Sequence, residues 1–385
     1  MRIVHIITRM IVGGAQENTR FNCLDLVRDY GDDVTLITGP SLGAEGSLLD
    51  KYQDPDLKTI LVPELIRSIR PWTDLRAARI LQKHLTQLRP DVVHTHSAKA
   101  GILGRSVAWK LKIPCVVHTV HGAPFHPYQA WPVRKFYQIC ERWAARRCHR
   151  LISVADAMTD LLVEAKIAER SKFVTIYSGM DIEPFLNADQ NRLQLRKDLG
   201  IRPEDIVVGK IARLFHLKGH QYLLACAQRV VQADPRIRFL LVGDGILRES
   251  LEKEIASMGL KNHFIFTGLV PPHEIPDLIG AMDMLMHVSL REGLARALPQ
   301  ALLAGKPVIS YDIDGAKEVV IEGQTGILLP PKSIQPLGDA ILKLANDADL
   351  RTRLGLQGRL LCQERFGHQS MTKQIRRLYQ QILSG

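Results

Sequence analysis

Short runs rich in valine and isoleucine alternate with amphipathic stretches along nearly the whole chain. That alternation limits the fold more than any other feature. RIVHIIT, DVTLITG, DVVHTH, PCVVHTV and RLISVA read as strands. Between them lie stretches such as TDLRAARILQKHLTQL and RKFYQICERWAARRCHR, whose apolar residues recur with a helical period. Apolar strands separated by helices belong to parallel sheets covered on both faces. The pattern restarts after residue 200 with IVVGKIA, IRFLLVGDG, HFIFTG, DMLMHVS, KPVISYD and TGILLP. The polar stretch NADQNRLQLRKDLGIRPED lies between the two sets and reads as a connection. With 385 residues the chain is long enough for two cores. The expected fold is α/β, two Rossmann-like doubly wound domains facing across a cleft, with ligands beyond the carboxyl ends of the strands.

Several classes drop out early. MRIVHIITRMIVGG is split by Arg9 and lacks a small-residue cleavage site, so it reads as a first strand and not a signal peptide. No segment approaches the length of a membrane span. The six cysteines are scattered without a C-x-x-C, which argues against a disulfide framework or a zinc ribbon and suits a reducing, cytoplasmic setting. The charge is uneven. Between Lys99 and Arg150 stand ten Lys or Arg and one acid, Glu141, so +9 of the formal +11 sits in that segment. A basic face suits an anionic partner such as lipid, a phosphorylated substrate or nucleic acid; the alternative is a solvated helix face. No helix-turn-helix, RNA-recognition or zinc pattern accompanies the charge, so no nucleic-acid partner is expected.

The loops after the strands carry the chemistry. VGGAQENTR places Gly13 and Gly14 before a helix, where they suit a tight turn and a close approach to a ligand. His94 and His96 point to one side of a strand, as metal ligands can, but no carboxylate at metal spacing joins them. No metal is therefore expected, and His121, followed by Gly122, reads as a substrate contact at a strand end. In ARLFHLKGH, Arg213 and Lys218 stand at the mouth of a helix and suit a diphosphate. VGDG, with Gly243 and Gly245, and TGLV, with Leu269 and Val270, read as backbone-lined ligand walls.

Taken together the chain resembles the retaining family-four glycosyltransferases with the GT-B fold. The matching pieces are GGAQEN, VHGAPF, YSGMDIEPF, ARLFHLKG, VGDG, FTGLV, LREGLARALPQALLAGKPVIS and DGAKEVVIEGQTGILL, in the family's order. The resemblance implies an acceptor-side domain over 1–185, a donor domain over 186–365, and a helix over 366–385 that crosses back to the first. In LREGLARALPQALLAGKPVIS, Pro299 fits only the first turn of a helix, so the helix is expected to begin near Ala295–Leu298 and end at Ala304–Gly305. Glu292 then precedes a helix N-terminus, with Leu294 beside it and the amides of Ala295 and Arg296 facing a phosphate. By resemblance Glu292 contacts hydroxyls of the donor sugar. The family usually has a second glutamate eight residues on, holding the ribose; here Gln300 stands there, and it loses the stronger charge-assisted bond.

The implied reaction moves a hexosyl or N-acetylhexosaminyl group from a nucleotide diphosphate sugar to an acceptor hydroxyl with retention. It needs no cofactor and no metal, since Arg213, Lys218 and the amides would stabilise the departing diphosphate. Glu292 and His121 would orient the sugar. Trp131, Phe136, Tyr137 and Trp143 among the arginines of 99–150 suit a helix on an anionic membrane and a lipid-linked acceptor in envelope polysaccharide synthesis, on the inner face of the membrane. Otherwise they pack that helix on its sheet. Two other readings remain: a nucleotide-sugar epimerase on the same fold, and a catalytically weak homologue, which Gln300 invites.

Overall fold

The computed structural model describes residues 1–41 and 46–385. They form two compact units, Met1–Met180 with Arg365–Gly385, and Asp181–Glu364.

The first unit is built on seven strands: β1 (Arg2–Ile7), β2 (Asp33–Thr38), β3 (Lys58–Leu61), β4 (Val92–His96), β5 (Cys115–Val120), β6 (Arg150–Ser153) and β7 (Phe173–Thr175). Their order is β3-β2-β1-β4-β5-β6-β7, and each pair is parallel. Central β4 and β5 are buried along their whole length, their histidines and threonines included. β3 and β7 were not anticipated. They are the two edge strands, short and partly exposed, so they lack that signature.

The second unit holds β8 (Ile206–Ile211), β9 (Ile237–Val242), β10 (Phe264–Gly268), β11 (Met284–His287), β12 (Val308–Tyr311) and β13 (Gly326–Leu329). All pair in parallel in the order β10-β9-β8-β11-β12-β13. One face packs Val208, Phe239, Met284 and Ile309 against the helices His220–Ala233 and Ile334–Asn346.

The polar connection is a correction. Part of it forms the helix Arg192–Asp198. The Arg192 guanidinium donates to the carbonyls of Gly280 and Met282 and pairs with Asp283 at 2.6 Å, so the segment is fastened into the second unit. The preceding helix Glu183–Leu186 packs on Ile275–Gly280 and Ala297–Leu303. For that reason the division falls after Met180 and not after 185.

The C-terminal helix His368–Ser384 packs on the helix Gly14–Arg28 of the first unit. Asp25 accepts from the Thr372 hydroxyl and from His368 Nδ1, each at 2.8 Å. All six cysteines are free thiols. Among the described residues no helix is long and apolar enough to cross a membrane.

Candidate functional site

In the second sheet the chain winds one way through β8, β9 and β10 and the other way through β11, β12 and β13. The reversal lies between β8 and β11, and ligands of doubly wound sheets bind at such a point. There the Lys218 ammonium donates to Glu292 Oε1 at 2.5 Å. Lys218 stands on the turn after β8, where Leu217 and Gly219 both take the left-handed backbone, with φ of 67° and 75°. For a leucine that conformation costs on the order of 1 kcal/mol. Gly219 is obligatory: a Cβ there would sit 1.9 Å from the Val288 carbonyl oxygen. The turn is tied to the loop after β11 by a bond from the Leu290 amide to the Leu217 carbonyl at 2.8 Å. The Glu292 loop is held from its other side, because its amide donates to Asp314 Oδ2 at 2.6 Å and the Gly315 amide to the Gly293 carbonyl at 3.1 Å.

Burial pushes the Glu292 carboxyl up, but His287 and Lys218 outweigh it and hold the group below the usual carboxylate range. His287 Nε2 lies 3.3 Å from Oε1. Burial holds His287 below its own ordinary value, so at neutral pH Lys218 supplies the positive charge. Glu292 is thus an ionised acceptor in a mostly buried place, neutralised by one movable ammonium.

Sequence reasoning missed His287 and two further neighbours. Lys210 on β8 is 1% exposed, and its Nζ finds no hydrogen-bond partner among the described residues. Burial, and next the charge of Lys218, bring its pKa down to about 7, although Glu292 opposes this. The signal was visible: a lysine stands where β8 otherwise carries Ile, Val and Gly. His220, at the start of the next helix, is also lowered by burial, to about 3, and faces the Arg213 carbonyl at 3.1 Å.

Other expected residues of this unit lie on the same row of strand-end loops. Arg213 is exposed, with its guanidinium carbon 5.0 Å from the centre of the Phe215 ring. Gly243 allows the loop after β9 to lie on it, since a Cβ there would come within 2.4 Å of the Ala212 carbonyl oxygen; Gly245 does the same against Leu214 at 2.5 Å. Leu269 is exposed and Val270 half-buried just beyond β10. The helix after Glu292 runs over Ala297–Leu303, with Pro299 in its first turn. Its start falls within the expected Ala295–Leu298 range; Leu294 and Ala295 lie on the preceding loop and Arg296 is the cap. Gln300 sits inside that helix.

Gly13, Gly14 and His121 belong to the first unit. The reading of Gly13 and Gly14 as a tight turn is corrected: Gly13 is extended at φ 174° and Gly14 already opens the helix, so neither needs left-handed freedom. His121 follows β5 directly. His94 and His96 join His5 in a buried cluster whose ring nitrogens lie within 4.8 Å of one another. Both ring nitrogens of His94 and of His96 are hydrogen-bonded, whereas His5 Nε2 has no partner among the described residues. His94 meets the Tyr379 hydroxyl at 2.5 Å and the Thr119 hydroxyl at 2.7 Å, and His5 Nδ1 meets His96 Nε2 at 3.0 Å.

Comparison with known proteins accounts for both units. The family described as glycosyl transferase 4-like domain matches residues 14–179, and that described as glycosyl transferases group 1 matches residues 191–361. A UDP-Gal:alpha-D-GlcNAc-diphosphoundecaprenol alpha-1,3-galactosyltransferase of Escherichia coli is 29% identical over 350 residues, covering 90% of this chain and 88% of that protein. The crystal structure of HepE from Anabaena in complex with UDP superposes with a TM-score of 0.82 at 23% identity, over 99% of this chain and 100% of that one. Sucrose-phosphate synthase from Thermosynechococcus elongatus gives 0.83 at 19% identity, over 100% of both. At those identities the structural likeness is one of fold, the expected GT-B class.

Proposed function

Because the chain belongs to the glycosyltransferases, with the 4-like and group 1 families matched in its two units, we propose that the loops at the β8–β11 reversal hold its donor. The reaction is transfer of a sugar from a nucleotide diphosphate sugar to an acceptor. The observation that carries the site reading is the Lys218–Glu292 pair: a half-buried carboxylate neutralised by one ammonium. In this reading the arriving diphosphate competes for Lys218, and Glu292 turns its lone pairs to sugar hydroxyls. Arg213 forks two phosphate oxygens. The amides of Ala295 and Arg296 and the backbone at Gly243, Gly245, Leu269 and Val270 line the nucleotide's path, and Gln300 meets the ribose as a neutral amide.

The transfer keeps the anomeric configuration and uses no metal. As the bond from the anomeric carbon to the phosphate oxygen breaks, the leaving diphosphate gains one negative charge. Lys218 and Arg213 stabilise that charge where it develops. The acceptor oxygen bonds to the anomeric carbon on the same face, and its proton passes to the departing phosphate oxygen. His121 orients the sugar.

For the acceptor we favour a lipid-linked sugar in envelope or exopolysaccharide synthesis. The Escherichia coli relative acts on a diphosphoundecaprenol-linked sugar. Along the helix Trp131–Ala145, Trp131, Val133, Phe136, Ile139 and Trp143 are exposed, Trp131 by 64% and Ile139 by 60%. They do not all pack on the sheet, which was the competing expectation. Arg134, Lys135 and Arg142 stand among them. An apolar face set among cations suits an anionic bilayer surface.

Thermal unfolding against a panel of nucleoside diphosphates and their sugars tests the donor site. At least one nucleotide should raise the midpoint by mass action, and Lys218→Met should abolish the rise. A panel without effect would refute the reading.

A further inference from the structure

Three imidazoles stand end to end across the centre of the first sheet. His5 lies on β1, His96 on β4, and His121 just past β5. His5 Nδ1 is 3.0 Å from His96 Nε2, and His96 Nδ1 is 3.1 Å from His121 Nε2. The ring planes differ by 14° and 24°, with centres 5.3 and 5.4 Å apart, which fits rings joined through their edges. His5 and His96 are fully buried. His94 and His118 are the other imidazoles beside the row, and His94 is engaged by hydroxyls that rotate to suit either tautomer.

A neutral imidazole has one N–H and one acceptor nitrogen. Each link in the row needs one proton, and each ring supplies one. Only two settings satisfy both links. In one, His121 donates from Nε2 to His96 and His96 donates from Nε2 to His5, which leaves the His5 proton on Nε2. That nitrogen is buried without a partner, and a buried orphan N–H is rarer than an unused acceptor. In the other setting His5 and His96 donate from Nδ1, His121 accepts at Nε2, and its own proton sits on Nδ1. Burial keeps His5 and His96 in the neutral form that both settings require.

We propose that His5 and His96 are positioning residues that lock His121 as the Nδ1–H tautomer, so that it serves transfer as a hydrogen-bond donor through Nδ1 and not as a base through Nε2. The role in transfer rests on the reading that His121 meets the sugar; the tautomer does not.

Nitrogen-15 spectra of histidine-labelled full chain test it. Wild type should show His121 protonated at Nδ1 with Nε2 as acceptor; a proton on Nε2 overturns the proposal. That measurement decides the lock whether or not any variant folds. His5→Leu removes the donor and should give His121 a mixed tautomer pattern, whereas His5→Asn keeps a side-chain N–H where Nδ1 stood and should restore it. Turnover is followed with UDP-galactose and GlcNAc-diphosphoundecaprenol, the substrates in the relative's name. His5→Leu should lower kcat by about tenfold, the worth of one hydrogen bond, with KM unchanged and rescue by His5→Asn. An unaltered tautomer in His5→Leu refutes the lock. A mixed tautomer with unchanged kcat refutes the role in transfer, and with it the placing of His121 at the sugar, while the donor-site screen stands apart from both results.

Discussion

Lys218 and Lys210 are separated by one turn of chain and have opposite electrostatic fates. Lys218 stands against an ionised carboxylate, 21% exposed at its side chain. Lys218→Met removes the charge while keeping most of the volume. It should lower kcat/KM by about 10²–10³-fold, the cost of losing one contact to developing charge, as read from steady-state transfer assays. Lys210 has no such partner, and burial is what lowers its pKa to about 7. The unfolded chain binds this proton up to the ordinary lysine value, so between about pH 7 and that value it holds more protons than the folded one, and stability rises with pH. The cost of burying the ammonium is fully present below about pH 7 and is relieved above it. Lys210→Met should therefore flatten the rise. Denaturant titrations of wild type should gain on the order of 2 kcal/mol relative to the variant between pH 7 and pH 9. Parallel curves would mean that the amine is not neutral in the folded protein.

At the scale of elements, the helix Trp131–Ala145 leaves five large apolar side chains exposed: Trp131, Val133, Phe136, Ile139 and Trp143. Its buried residues are Glu141, Ala144 and Ala145, while large side chains face outward. Glu141 is held by the fully buried Arg105 at 2.9 Å, which fixes how the helix is rotated. Phe136→Glu with Ile139→Glu should leave the fold intact, because both side chains are exposed. The double variant should lose sedimentation with vesicles containing anionic lipid, and wild-type sedimentation should weaken as salt is raised. Wild type that ignores anionic vesicles would remove the membrane part of the functional reading.

At the scale of the whole molecule, the last helix decides what the first unit is. Met371, Ile375, Leu378 and Tyr379 are buried in the core around Ile7, Leu36 and Val117. Asp32 receives both the N-terminal ammonium at 2.7 Å and Arg376 at 2.9 Å, so the two ends of the chain share one carboxylate. Tyr379→Phe should leave His94 Nδ1 without its hydroxyl and cost about 1–2 kcal/mol in equilibrium unfolding. Deleting residues 367–385 removes several side chains worth about 1.5–3 kcal/mol each, and the truncated chain should yield no cooperatively folded first unit by calorimetry.

The alternation of β-branched runs with amphipathic stretches, the restart after residue 200, and the glycine and proline punctuation around Lys218 and Pro299 all lie within a few neighbouring residues. Local periodicity and turn chemistry therefore carried the fold class, both central sheets and most of the strand-end loops of the second unit. The edge strands Lys58–Leu61 and Phe173–Thr175 escaped because edges need little apolar surface. The helix Arg192–Asp198 escaped because its polar face is satisfied by carbonyls far along the chain. Only the tertiary structure decided that Lys218 meets Glu292, that Lys210 is left without a partner, and that His5, His96 and His121 stand in one row. Strand order sets those meetings: β8 lies beside β11, and β1 beside β4, with β5 on the far side of β4. No stretch of local sequence encodes which strands become neighbours, because pairing depends on closing long loops and on burying both faces of the sheet together.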